Sequence, residues 1–344
     1  MKNNLLNGVP HVHYGAFGSC TPFPICVKAC TDYMGEAISL ADISCLSGGA
    51  FRLAWNLAEW DGGNVDIMYT YDQPGEVFKR GIEGLGYTYA SLWRHEGAGK
   101  DAFKQFIARA IDDGVPVIAL GVIGPPEACV VVGYQNDGDT LVCSNFFQGH
   151  PEFSGATRID ADGYGVTDAW WENENTFAVM TMWRPRKLQM SAQAVLRQAI
   201  DVMRPHTDGM HAKGLSAFDA WHKAILDDTQ FPEHAVLPLL AERLMCHGDA
   251  MDCLADGRHR AAEYIASIQA EFPAHEAALE KARAAFDRVC GAVRGMSALL
   301  SGWQRDERAM RALVQKDVRV QTGALILEAR AADEEALEAL SGVV

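Results

Sequence analysis

The feature that most constrains this chain is a change of alphabet at WRPRK, Trp183 to Lys187. Before it, glycine, aromatic and β-branched residues dominate; after it, alanine, leucine, glutamate and arginine do. Branched and aromatic side chains suit a pleated, half-buried surface, whereas Ala, Leu, Glu and Arg lose little rotamer freedom in a helix. At 344 residues the chain is long enough for two regions that each bury a core. The expectation is an α+β region over residues 1–185 followed by an all-α bundle over 186–344.

Periodicity fills in the first region. Pro22 and Pro24 suit a helix start, and Ile25, Ala29 and Tyr33 supply a helical stripe as far as Gly35. Further helices are expected over Ala50–Glu59, Val77–Leu85 and Lys100–Asp113, the last with Phe103, Phe106, Ile107, Ala110 and Ile111 on one face. Strands are expected over Tyr87–Trp93, Val115–Val122, Ala128–Tyr134, Thr140–Ser144 and Thr176–Trp183. QNDGD, Gln135 to Asp139, is a strong hairpin turn, since Asn and Asp tolerate left-handed backbone and Gly138 adopts it without penalty. In the second region, helices are expected over Ser191–Met203, Leu215–Leu226, Glu233–Leu254 with a bend at Pro238, Arg258–Phe272 capped by Asp256, Ala274–Leu300 and Asp306–Ala331. The Glu-rich stretch Ala331–Leu340 reads as a solvated amphipathic helix.

Composition excludes some classes of function. A formal net charge of -15 is the wrong sign for a general nucleic-acid or anionic-membrane binder. MKNNLLNGVPH lacks a charged-then-apolar leader, and no apolar run is long enough to span a bilayer, so a cytoplasmic location is expected. The nine cysteines are then expected to be reduced thiols.

Three of those cysteines crowd into GAFGSCTPFPICVKACTDYMG, Gly15 to Gly35. Cys20 stands at the first turn of the expected helix, where the exposed N–H dipoles favour thiolate and lower a thiol pKa from its ordinary value of about 8.5. Gly18 and Ser19 permit close approach of a substrate carbonyl, and the Cys20 N–H is a natural oxyanion donor. Cys26 and Cys30 lie deeper in the helix and read as buried packing. A zinc site from His11, His13, Cys20, Cys26 and Cys30 lacks a second ligand pair at the usual spacing, so neither metal nor cofactor is expected.

A helix-opening cysteine followed far downstream by EACVVVGYQNDGDTLVCSNFF resembles the papain-like cysteine peptidase superfamily. The similarity is nearest to relatives of the bacteriocin-processing peptidases and the N-terminal domain of the butirosin-biosynthesis acyltransferase. It covers roughly residues 10–183 and rests on VVVGY (Val130–Tyr134), the turn, Ser144-Asn145, and SCTPFPICVKACTDYMGE followed by ISCLSGGAF. The resemblance implies a papain-like domain, Cys20 as nucleophile and Asn145 as the residue that orients its partner. Where those relatives carry histidine, six residues before Gly133, this chain has Glu127; where they carry an oxyanion-stabilising Gln, it has Tyr14, which retains one donor.

A carboxylate with an ordinary pKa near 4.3 is a poor acceptor for a thiol proton. Three answers stay open: His11, His13 or His150 completes the site; Glu127 acts as general acid or base in acyl transfer through a Cys20 thioester; or the cleft binds without catalysis. The sequence therefore supports two functions. One is a cysteine-dependent acyltransferase or amide or peptide hydrolase acting on a small molecule or peptide conjugate. The other is an inactive relative that binds such a ligand. Trp170 and Trp171 read equally as a cleft wall and as a loop pinned to the sheet. Arg52 and Trp55 are candidates for a cleft that receives an anion but suit a helix N-terminus with its own packing better. Met203, His206, Met210 and His211 resemble a soft-ligand cluster but suit a helix end with a loop better. The helical region offers a surface for pairing two copies.

Overall fold

The computed structural model describes residues 1–62, 66–232 and 235–344. In chain order the elements begin with β1 (Asn4–Leu5), α1 (Pro22–Tyr33), α2 (Leu40–Leu46), β2 (Ala54–Asn56), α3 (Glu76–Gly84), β3 (Thr88–Trp93) and α4 (Lys100–Asp112). They continue with β4 (Val117–Leu120), β5 (Ala128–Gln135), β6 (Thr140–Ser144), α5 (Pro151–Ser154), β7 (Arg158–Ile159), β8 (Gly165–Thr167) and β9 (Ala178–Trp183). The remainder is α6 (Ala192–Met203), β10 (His206–Asp208), β11 (His211–Lys213), α7 (Leu215–Leu226), α8 (Leu237–Ile268), α9 (Glu276–Leu299), α10 (Glu307–Val314) and α11 (Lys316–Ser341). The chain is thus α+β, with a sheet-rich N-terminal region and a helical C-terminal region. No helix among the described residues is long and apolar enough to cross a membrane.

Contacts divide the chain into one unit of Met1–Ile43 with Ile82–Gln189 and another of Ser44–Gly81 with Met190–Val344. The sequence suggests a single cut at 185, yet Ser44–Gly81 belongs with the helices. The reason is long-range pairing. β2 adds to the β10–β11 hairpin, with Trp55 opposite Ala212, and the Arg258 guanidinium binds the Ala50 carbonyl at 2.7 Å.

The first unit is an antiparallel sheet in the order β3-β9-β4-β5-β6-β8-β7, with β1 also on β5. Its centre is apolar on both faces: every residue of β4 is buried, and so is every residue of β5 except Gln135. That is why β5 reads as a continuous apolar run and not as an alternation. α1 packs on β5 and β4, and α4 packs on β5 and β9. The β5–β6 turn takes the conformation its residues demand, with Asn136, Asp137 and Gly138 at φ 53°, 56° and 93°.

The second unit is built on α8, α9 and α11, with α7 against α11. Trp55, Trp221, Phe218, Leu254, Val293 and Ile326 are among the residues of its core. Several sequence expectations change here. Ala50–Glu59 is not a helix, because its central residues are drawn into β2. Asp256 caps nothing: it lies inside α8, which runs without interruption from Leu237 to Ile268. Pro238 sits in the first turn of that helix, where no N–H is missed, and so does not bend it. Glu233, the expected start of this helix, lies outside the described residues. Asp306–Ala331 breaks at Gln315, which is extended at ψ 127°. The expected solvated tail is instead packed, with Ala332, Asp333, Ala336 and Leu340 buried within α11.

Two of the expected cleft candidates also serve this core. Arg52 is buried, with Nη1 donating to the Gly49 carbonyl at 2.9 Å. Trp55 stacks on Trp221 at 5.8 Å between ring centroids.

Candidate active site

The site region starts in the loop ahead of α1. Gly15 (φ 88°), Phe17 (φ 54°) and Gly18 (φ 72°) take left-handed backbone, and the Gly15 N–H donates to the Ser19 carbonyl at 2.8 Å. This tight loop delivers the chain to α1, whose first turn carries two prolines. Ser19 is buried, and its hydroxyl accepts the Thr21 N–H at 3.2 Å, so this residue shapes the helix entry and presents no surface to a substrate. Gly18 is exposed, as close approach requires.

Of the nine cysteines, all among the described residues, Cys20 alone is not buried. Burial pushes the thiols of Cys26 and Cys30 well above the ordinary range. Cys129 is pushed up to about 12, and Cys143 also lies well above the ordinary value, again through burial. Thiolate chemistry at neutral pH is therefore closed to these four, and Cys26 and Cys30 are helix packing.

Glu127 is half-buried at the entry to β5. The Cys26 thiol in α1 is raised first by burial, with the Glu127 charge a lesser cause. β5 and β6 pair with Val130 opposite Ser144 and Val131 opposite Cys143. Cys129 and Cys143 are buried in those strands, Glu127 stands just before β5, and Asn145 just after β6. Asn145 is buried; its Oδ1 accepts the Phe147 N–H at 2.7 Å, and its side chain meets the Cys129 thiol, which burial holds far above the ordinary range. Tyr14 packs its ring on Phe146 at 4.9 Å, linking the loop before Cys20 to the loop after Asn145.

The three candidate histidines gather around one pocket that Asn145 also borders. His11 Nε2 lies 3.0 Å from the Asp162 carbonyl, and its ring packs on Tyr164 at 4.4 Å. Its Nδ1 faces the Ser144 hydroxyl at 3.5 Å, and Ser144 points to the face of β6 opposite that of Asn145. His13 Nδ1 is 3.0 Å from the Tyr14 carbonyl, and His150 Nδ1 is 3.7 Å from Glu152. Together with Ser144, Asn145 and Gln148 they border a pocket of about 430 Å³.

Trp170 offers nothing to a substrate: it is fully buried, with its indole N–H donated to the Asp139 carbonyl at 3.2 Å. Trp171 is held edge-on to Phe103 at 5.2 Å and under the Arg94 guanidinium at 4.2 Å. The segment is a loop pinned to the sheet. Its purpose became legible only in three dimensions. Asn173 Nδ2 donates to the carbonyls of Gly121 and Gly124 at 2.6 and 3.0 Å, Asn175 Nδ2 donates to Gly124 at 2.9 Å, and the Thr176 hydroxyl donates to Gly121 at 2.8 Å. The Gly121 N–H closes the loop on the Glu127 carbonyl at 3.1 Å. Side chains of NENT, Asn173 to Thr176, thereby grip the loop that leads into Glu127. The sequence signal was the pair Gly121 and Gly124 before Pro125-Pro126, whose significance depends on carbonyls held from about 50 residues away.

Among the described residues, no group of three or more His, Cys, Asp or Glu side chains is placed to hold a metal ion. His206 and His211 belong to the β10–β11 hairpin, and the His211 ring stacks on Tyr69 at 4.2 Å. No protein-family model matches this sequence, and no curated protein is similar to it.

Proposed function

We propose that the sheet-rich unit is a papain-like domain and that the protein is a cysteine-dependent acyltransferase, or an amide or peptide hydrolase, acting on a small molecule or peptide conjugate. The observation that carries this reading is the accessibility of Cys20, the single unburied thiol, ahead of a helix packed on the strand that Glu127 opens. The Cys20 sulfur attacks the acyl carbon, a C–S bond forms, and the tetrahedral oxyanion is held by the Cys20 N–H with the Tyr14 hydroxyl. Glu127 takes the thiol proton and returns it to the leaving group as the old acyl bond breaks; Asn145 orients Glu127.

The choice among reactions follows from proton affinities. Moving a proton from a thiol near 8.5 to a carboxylate near 4.3 costs about 6 kcal/mol at ordinary values. An amide leaving group then needs a strong acid as well, whereas a thioester donor leaves without that help. Acyl transfer from an activated donor is therefore favoured over peptide hydrolysis. The second reading, an inactive relative that binds its ligand, is favoured by Glu127 itself, since carboxylate and thiol do not make a thiolate–imidazolium pair.

Iodoacetamide labelling followed by peptide mass mapping separates the two. The enzyme reading expects Cys20 to react at least about tenfold faster than a model thiol at pH 7.5, and a small acyl thioester to leave its acyl group on Cys20. If Cys20 reacts at the pace of glutathione and no acyl adduct forms, the binding reading replaces it.

A further inference from the structure

A cavity of about 440 Å³ lies against the loop that ends at Glu127. One wall is Val122, Ile123, Pro125 and Pro126; facing it are Phe153 and Ala156. Among the lining residues Glu152 alone is ionisable, and there is no cation. Phe153 leaves 42% of its surface exposed and meets Phe147 edge-on at 5.2 Å. An aromatic surface left uncovered beside two prolines offers contact to an apolar group. The floor is rigid, because Asn173 and Asn175 hold the Gly124 carbonyl. A preformed cavity of this kind loses little on binding, and its size is that of a small-ligand site, roughly 300–1,000 Å³.

Position assigns the cavity its share of the substrate. A general acid or base must reach the heteroatom that leaves or enters, while the nucleophile reaches the acyl carbon. The wall of this cavity runs directly into Glu127. We infer that the cavity is the subsite for the leaving or accepting group, and that it takes an uncharged or cationic group with an apolar ring or short chain and rejects an anion. This deepens the reading of Cys20 and Glu127 as the reacting pair and rests on it. The pocket bordered by His11, His13, His150 and Asn145 has a different lining and serves as the comparison.

Saturation-transfer NMR on the full chain tests the assignment with benzyl alcohol, benzylamine and benzoate at pH 8. The expected result is binding of benzyl alcohol and benzylamine, with benzoate weaker by about tenfold. Ala156→Trp, or Ala169→Trp should the first fail to fold, abolishes binding by filling the cavity, whereas His13→Ala leaves it unchanged. Glu152→Gln narrows the gap between benzyl alcohol and benzoate. Benzoate binding as well as benzyl alcohol, or binding that survives both tryptophan substitutions, overturns the subsite. Measuring Cys20 alkylation on the same samples keeps the two ideas apart. Ring binding with a sluggish Cys20 retains the cavity as a ligand site and removes its catalytic assignment. A reactive Cys20 with no ring binding removes the subsite and leaves the chemistry standing.

Discussion

Arg258 in the helical unit and Asn145 in the sheet unit are both buried polar residues, and they are partnered differently, one by a charge and one by neutral groups. Arg258 is wholly buried and fully answered: Nε and Nη2 bind the two Asp333 oxygens at 2.6 and 2.7 Å, and Nη1 binds the Ala50 carbonyl. Asn145 is buried too, but it is answered by neutral groups, its Oδ1 accepting the Phe147 N–H and its side chain meeting the Cys129 thiol. The paired charge fixes α8 against α11. Buried polar atoms without a hydrogen-bond partner among the described residues occur in both units, including His247 Nε2 and Arg319 Nε in the helices and Tyr87 Oη in the sheet unit.

The comparison can be broken most directly at Cys20. Cys20→Ser is expected to remove all acyl capture and the fast alkylation while leaving the thermal midpoint within about 2 °C of the parent, because a half-exposed thiol contributes little packing. Asp333→Asn should do the reverse. It leaves Arg258 buried and unpaired, which costs about 3–5 kcal/mol in urea denaturation, while Cys20 alkylation of the folded protein stays unchanged. A stable Asp333→Asn protein would mean that the helical core does not rest on this pair.

A smaller effect separates two glycines of the sheet unit. A methyl at Gly121 (φ 77°) would stand 1.9 Å from the Asn175 carbonyl oxygen, whereas at Gly97 (φ 88°) it would meet nothing within 4 Å. Gly97→Ala should cost about 1 kcal/mol for its backbone alone, and Gly121→Ala about 2–4 kcal/mol once the steric term is added. Gly121→Ala should also slow acyl transfer through displacement of the loop that ends at Glu127. Equal costs at the two positions would show that the Asn173–Thr176 grip does not hold the loop rigidly.

A further expected effect belongs to His247 and depends on pH. Burial brings its pKa down to about 3 from an ordinary 6.5, and its Nδ1 accepts the Trp221 indole N–H at 3.1 Å. Above pH 6.5 neither the folded nor the unfolded chain carries this proton, so the ring adds no pH dependence there. Below 6.5 the unfolded chain takes up the proton and the folded one does not, so stability falls until about pH 3. Between pH 6.5 and 5 the loss is about 2 kcal/mol. His247→Gln should flatten that slope, and urea titrations at the two pH values measure it.

Legibility followed the range of the interactions involved. Lys100–Asp112 was legible because Phe103, Ile107, Ala110 and Ile111 carry their own period and are the residues buried. The QNDGD turn was legible because left-handed backbone is a property of those residues alone. Ala50–Glu59 was misread because its strand exists only by pairing with a hairpin more than 140 residues later. Asp256 was misread because a good capping residue inside a long helix is outweighed by continued packing of α8. In the candidate site, the places of Cys20 ahead of α1 and of Asn145 after β6 were legible as a residue type at a helix start and a strand end. Trp170 was not, since an indole looks the same in a cleft wall or beneath it until its N–H finds the Asp139 carbonyl.

The sequence by itself determined a division between a β-rich and a helix-rich part and a thiol at a helix entry, because each follows from local propensity or spacing. Only the tertiary structure decided which of nine thiols escapes burial, that Ser44–Gly81 joins the helices, and that Asn173, Asn175 and Thr176 hold the approach to Glu127. Those outcomes depend on burial and on hydrogen bonds closed across many residues of chain, which no local pattern encodes.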